Sequence, residues 1–448
     1  MSISSILNIS KQALMSHQSA IDTTSGNISN MNTEGYTRRL TNFDQGLGIN
    51  QISSNISDDT VARVRDSFLE KQYMRQNSYF ARYEMDKTIS QQIEDILGEP
   101  GEAGLSNALS DFWGAWSDLA NDPESQSVRT VVKDKSQALA STFNRIYSDL
   151  AQLQDSLQND LSSKINSVNQ KLEQIHKINK QLNTTQSDEL LDQRDRALNE
   201  LSELINIDTS ISDNGKVSVY SSGFILVSEN QNKQLQLQTS EEGDTSDLKL
   251  TLAGNDSEVQ VQAGEVGSLL DMHNENIGHY IDQLNTLATN LADQVNAVHK
   301  TGYNLDNKTG INFFAKNITS AGDFQLNESI AEDSTLIATS DESGESGNNS
   351  IAQSINNLQN TGSIEGINPA DFYGSLVTEI GSKVQESEYL SSSQEKVVQT
   401  LENQRDSSSG VSLDEEMINL TKYKQGYQAA AKVVNTVNEM MVTALNLI

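Results

Sequence analysis

Cysteine is absent from the 448 residues, which excludes disulfide bonds, thiol nucleophiles and cysteine-ligated metals. Only 3 prolines occur, so little in the chain interrupts long helices. Aromatic residues make up 5% and hydrophobic residues 35%, with a mean hydropathy of -0.52. Such a low apolar content suits elongated helices, whose large surface leaves less room for a core. Disorder throughout is excluded, because apolar residues recur with clear periods over most of the length. No run approaches the roughly 18 apolar residues that span a bilayer. The opening MSISSILNIS has neither a basic stretch nor a long apolar one, so it does not read as a cleaved secretory signal. A cysteine-free chain suits work outside the cell without oxidative folding, reached by a route that cleaves no signal.

Positive charge is also scarce. Against 62 acidic side chains stand 31 basic ones, a net charge of -31. A field of that sign repels phosphate backbones and anionic lipid, so neither nucleic-acid binding nor membrane insertion is expected. The five histidines, His17, His176, His273, His279 and His299, show no metal-ligand spacing. The NLDNKTG stretch (304–310) departs from a calcium loop at Lys308, and GEPGEAG lacks the Gly-Lys-Ser/Thr ending that cradles phosphate. No Gly-x-Ser-x-Gly elbow occurs. No catalytic, metal or cofactor residue is therefore predicted, and an enzyme is the poorer reading.

Periodicity is what the chain does have. Leu7, Leu14, Ile21 and Ile28 repeat every seven residues and predict a helix over 3–28. Yet ten residues between Ile3 and Asn27 are Ser, Thr or Asn. At roughly 0.5 kcal/mol each relative to Ala, about 5 kcal/mol of intrinsic helicity is lost. This helix needs a partner. At the other end Leu420, Tyr427, Val434, Met441 and Ile448 form one heptad row, and Tyr423, Ala430, Val437 and Ala444 form a second. Glu416 interrupts the second row, which places the start of the seam near Leu420.

Between these ends, 1–60 reads as a helix followed by an extended arm, and 61–204 as the first side of a helical body. Residues 205–263 alternate with period two between Asn-Gly, Ser-Gly and Gly-Asn turns, a small antiparallel β insert. Residues 264–407 return to helix, with 301–366 mostly loop and short strands, and 408–448 hold the last helix. The fold class expected is mainly α with a small outer β module: an elongated, multidomain chain with a long-helix body.

The stretch SGNISNMNTEGYTRR (25–39) resembles the N-terminal signature of the flagellar rod, hook and hook-associated axial proteins, A-N-N-I-A-N-x-N-T-x-G-Y-S-R. Asn27, Ile28, Asn30, Asn32, Thr33, Gly35, Tyr36 and Arg38 match, whereas Ser25, Gly26, Ser29 and Thr37 depart from the commoner residues. The last forty residues resemble the C-terminal signature of the same family, through Asp414, Glu415, Glu416, Leu420, Tyr427, Ala429, Ala430 and Ala431. LSNALSDFWGAWSDLANDPES, LLDQRDRALNELSELINI and INFF look like the helical body of the hook–filament junction members. The likeness covers most of the chain except the β insert and 301–366.

The resemblance implies a structural part of the bacterial flagellum, an adapter joining hook to filament, with no cofactor. It implies that the first and last helices pair as a coiled coil and stack with neighbouring copies in a ring. The N-terminal contacts would come from Leu7, Leu14, Ile21, Ile28, Asn30, Asn32, Gly35, Tyr36 and Arg38. The C-terminal ones would come from Leu420, Tyr423, Tyr427, Ala430, Val434, Val437, Met441 and Ile448. Implied partners are further copies of the chain, the hook protein, the second junction protein and, before secretion, an export chaperone on the C-terminal seam. The implied location is extracellular, after type III export. Residues 1–35 and 411–448 are expected to gain order only on assembly. The alternatives are a rod or hook protein of the same family, or a secreted adhesin.

Overall fold

The computed structural model describes residues 3–33, 35–43, 60–101, 104–185, 187–212, 214–239, 247–254 and 256–445. Helices dominate: α1 (Ile3–Ser29), α2 (Ser67–Leu97), α3 (Leu105–Asn121), α4 (Gln126–Gln181), α5 (Asp188–Leu204), α6 (Gly264–Asp271), α7 (Gly278–His299), α8 (Glu328–Glu332), α9 (Ser350–Thr361), α10 (Pro369–Ser409) and α11 (Leu413–Leu445). Among the described residues, short strands make three small antiparallel sheets. These are β1 (Arg39–Asn42) with β2 (Thr60–Arg63), β3 (Asp208–Ile211) with β4 (Val217–Ser221) and β5 (Phe224–Val227), and β6 (Leu235–Thr239) with β7 (Leu248–Leu252).

α4 runs unbroken for 56 residues because it contains neither Gly nor Pro. Its buried row includes Val132, Leu139, Phe143, Ile146, Leu150, Leu161, Val168, Leu172 and Ile175, the stripe that the sequence periodicity picks out. α10 begins with Pro369 at its first position, where the missing N–H costs nothing. Between α6 and α7 the helix widens into a π turn at Met272–Ile277, which the seven-residue repeat does not reveal. Residues 350–361 form a helix that buries Ile351, Ala352 and Ile355.

The chain forms two compact units. The first comprises 1–77, 170–233 and 395–448, and the second 78–169 and 234–394. The strands of 205–263 are divided between them.

The second unit has an aromatic core. Phe112 lies 4.8 Å from Trp113, Trp116 lies 5.1 Å from Phe313, and Phe143 and Phe314 flank Phe324 at 4.7 and 4.6 Å. Two buried polar side chains staple loops onto it. His299 Nε2 accepts from the Ala338 N–H at 2.8 Å, and its Nδ1 lies 2.8 Å from the Ile311 carbonyl. That pair of partners requires Nδ1 to carry the proton, so the ring is held neutral. Burial, with Arg129 nearby, lowers its pKa from 6.5 to about 4. The Arg129 guanidinium is itself buried without a carboxylate, and burial lowers its pKa to about 10. It donates to the Ile337 and Pro123 carbonyls and to Thr339 Oγ1.

A single device recurs where helices meet strands. Asn169 of α4 both donates to and accepts from the backbone of Leu235, the first residue of β6, at 2.8 Å each way. In the same unit Asn274 holds Leu248, the first residue of β7, and in the first unit Asn179 of α4 holds Val217, the first residue of β4. Each carboxamide presents the same donor and acceptor as a peptide group, so it replaces a neighbouring strand at one position.

Candidate assembly site

The first unit brings the two ends of the chain together. α1 and α11 pack antiparallel, with His17 against Gly426 and Asn27 against Glu416. At Gly426 an added Cβ would lie 2.5 Å from the His17 ring, so glycine is what admits that side chain. The same ring sits 5.6 Å from Phe43, which sits 5.6 Å from Tyr423.

The paired face is unlike the apolar seam expected from the heptads. On α1 the buried residues are Ser10, Ser16, Ala20, Thr24 and Asn27, and on α11 they are Glu416, Ala430 and Val437. Leu7, Leu14, Ile21 and Ile28 are half-buried, as are Leu420, Tyr423, Val434 and Met441, while Tyr427 is exposed. Ile448 lies outside the described residues. In the single chain both ends are already helical and paired, where the sequence reading expected order only on assembly. Small side chains let the helices approach, and a polar cluster at one end fixes them.

That cluster begins where α1 stops. Asn30 Nδ2 donates to the Gly26 carbonyl at 2.9 Å, a second bond on an oxygen that also accepts the Asn30 backbone N–H at 3.1 Å. Gly35 then adopts φ +74, a left-handed conformation, and an added Cβ there would meet Arg196 Nε at 3.1 Å. Asn32 is exposed. The chain returns past Asn27, which is 1% exposed and uses its whole carboxamide. Its Oδ1 accepts from the Tyr36 hydroxyl at 2.9 Å and the Arg39 N–H at 3.1 Å. Its Nδ2 donates to the Arg39 carbonyl at 2.8 Å and to Glu416 Oε2 at 3.1 Å. Asn27 therefore grips the first residue of β1 as Asn169, Asn179 and Asn274 grip theirs. Burial raises the pKa of Tyr36, against the pull of the Arg39 guanidinium 5.1 Å from its ring.

Glu416 closes the cluster. Its Oε1 accepts from Arg38 Nε and Nη2 at 2.9 and 2.8 Å, and Arg38 Nη1 reaches the exposed neighbour Glu415 at 2.9 Å. Glu416 does not break the second heptad row; it is the buried first member of it. Beyond Arg38, arginines of the β1–β2 arm interleave with acids of α5. Arg39 meets Asp188 and Asp192, Arg63 meets Asp192 and Asp195, and Arg65 meets Asp195 and Glu70. Burial lowers the pKa of Arg63, but Asp195 and Asp192 outweigh it and raise the result. Arg194, fully buried, bonds Asp195 and the Gly215 carbonyl; its pKa is lowered by burial despite the aspartate.

Sequence reasoning singled out Tyr36 and Arg38 here but missed Asn27, Arg39, Arg63, Asp192, Asp195 and Glu416 as site residues. A readable signal existed: Asp188, Asp192 and Asp195 fall at i, i+4 and i+7 of α5, and Arg63 and Arg65 fall on one side of an extended segment. Among the described residues no group of three or more His, Asp or Glu is placed to hold a metal ion, and no helix is long and apolar enough to cross a membrane.

Residues 90–314, half of the chain, match the family model described as the flagellar hook-associated protein FlgK helical domain. The chain belongs to the FlgK family. Its ends match two further models, a flagella basal body rod protein model over 7–37 and the C-terminal model of the flagellar basal body rod FlgEFG proteins over 402–447. Flagellar hook-associated protein 1 of Bacillus subtilis is 29% identical over 98% of this chain and 97% of its own length. The Escherichia coli protein of that name is 23% identical over 99% and 100%. The solved flagellar hook junction protein FlgK of Burkholderia pseudomallei superposes with a TM-score of 0.51 at 26% identity, over 55% of this chain and 47% of that one. As a FlgK-family member the chain is a structural component of the bacterial flagellum.

Proposed function

We propose that this chain is an adapter joining hook to filament, and that copies of it assemble into a ring through the α1–α11 pair. The observation carrying this is an apolar surface that the pair does not bury. Ile9 and Met15 on α1, and Met417, Ile418, Met440 and Leu445 on α11, stand exposed, Ile418 at 69% and Leu445 at 71%. Helices that leave such rows open are stabilised by neighbouring helices. Charge supports the same reading. Residues 1–35 and 411–448 carry four basic against six acidic side chains, leaving 27 against 56 for the rest. Near-neutral ends can crowd together, whereas the strongly acidic remainder repels its copies.

On this reading the residues in contact between copies include Leu7, Leu14, Ile21 and Ile28 on one helix and Leu420, Tyr427, Val434 and Met441 on the other. The hook protein adjoins the ring on one side and the second junction protein on the other. Before export, through the type III channel and without a cleaved signal, a chaperone covers the C-terminal row. The role is structural rather than catalytic. A deletion strain tests it: hooks without filaments, with flagellin shed into the medium, are expected. Normal filaments with lost adhesion would favour an adhesin, and loss of the hook itself would favour a rod or hook protein.

A further inference from the structure

Four helix asparagines grip the first residue of a strand, and Asn27 differs from the other three in what its remaining valences do. In Asn27 they reach the Tyr36 hydroxyl and, across the chain, the Glu416 carboxylate. The socket that receives Glu416 is built without α11. Arg38 donates its backbone N–H to the Ser409 carbonyl at the end of α10, and its own carbonyl accepts from Val64 N–H beyond β2. Asn27 is fixed by Arg39 of β1. Glu416 enters this socket from the far side of the helix break at Gly410–Ser412.

Away from the socket the residues that the two helices bury are mostly small: Ser10, Ser16, Ala20 and Thr24 on α1, and Ala430 and Val437 on α11. Such a face lets the helices approach closely and removes little apolar area from water, so it discriminates weakly between paired and open states. A carboxylate that is 1% exposed and holds three charge-assisted or amide hydrogen bonds discriminates strongly, because opening or removing it strands a guanidinium and a carboxamide.

We infer that Glu416 is a latch: its insertion between Asn27 and Arg38 makes the pairing of α1 with α11 conditional on the folded β1–β2 arm, and holds the pair together in the single chain before any neighbour is present. Glu415, one residue earlier and bonded to the same arginine from the exposed side, does not latch. The inference is independent of the assembly reading, since it concerns one chain alone.

The absence of native cysteine makes the test direct. Spin labels at Ser4→Cys and Asn438→Cys, two exposed positions at the end of the pair far from the latch, report the distance between the helices in the isolated full chain. A narrow distance distribution is expected in the otherwise unchanged chain and with Glu415→Ala. With Glu416→Ala a broad one is expected, along with amide exchange of α1 and α11 faster by about a hundredfold or more, while α3 and α5 keep their protection. Three results would overturn the latch: a distribution already broad without substitution, one that stays narrow in Glu416→Ala, or equal broadening by Glu415→Ala. Protection retained in α3 and α5 separates unlatching from failure to fold.

Discussion

Lowering the pH tests the buried histidine of the second unit more sharply than any substitution alone. His299 is 1% exposed, donates through Nδ1 to the Ile311 carbonyl and accepts through Nε2 from the Ala338 N–H. Protonating Nε2 would set its N–H against that of Ala338 in a buried site whose charged neighbour, Arg129, is also a cation. Its pKa falls from 6.5 to about 4, so the unfolded chain takes up the proton first as the pH drops. Stability from this group is therefore full above about pH 6.5, declines between about 6.5 and 4, and is constant below. The shift corresponds to about 3 kcal/mol. Trp113 and Trp116 lie in the same unit, and Trp116 stands 6.3 Å from the His299 ring, so their fluorescence reports its unfolding in urea. Many carboxylates titrate over the same range, so the informative quantity is the difference between the native chain and His299→Gln. Stability of the native chain should fall by about 3 kcal/mol more than that of the variant between pH 7 and pH 4. Parallel pH profiles for the two proteins would refute the assignment of a neutral, obligatory Nδ1–H tautomer.

Four further substitutions probe the first unit. Arg63→Met leaves Asp192 and Asp195 short of a buried counter-charge and should cost roughly 3 kcal/mol in thermal unfolding, whereas Lys177→Met, at an exposed i,i+4 pair with Glu173, should cost under about 1 kcal/mol. Asn179→Ala strands the N–H and carbonyl of Val217, and should cost about 1–3 kcal/mol, with faster amide exchange at the start of β4. Gly35→Val forces a β-branched residue to φ +74 beside Arg196, adding roughly 1–2 kcal/mol of strain or more, and swimming in soft agar should fall; normal motility would argue against a demanding turn.

The helices were legible in the sequence because their apolar rows are long and uninterrupted. The buried stripe of α4, the break after Leu182 and the stop of α1 near Ser29 all follow from spacing and from Asn and Gly placement. What the terminal pair buries was not legible, because heptad reading assumes that large apolar residues face the nearest partner. Here the buried residues are mostly Ser, Ala and Thr, with Val437, and the larger apolar residues remain half-buried or exposed. Glu416 looked like an error in a hydrophobic row because its partners, Asn27 and Arg38, lie nearly four hundred residues away. Long-range charge pairing leaves no periodic trace in a sequence. The signature stretch 25–39 was readable as a motif, but its chemistry was not. Asn27 joins a strand, a tyrosine and the far helix in one carboxamide, and no local pattern encodes that.

The central claim, that the chain sits between hook and filament and assembles there through α1 and α11, is tested most directly by cryo-electron microscopy of intact flagella carrying a label on this chain. The account predicts a single ring of density at the hook–filament boundary, with the paired terminal helices of adjacent copies in contact. Label distributed along the rod, the hook or the filament, or a ring whose copies meet only outside those helices, would contradict it.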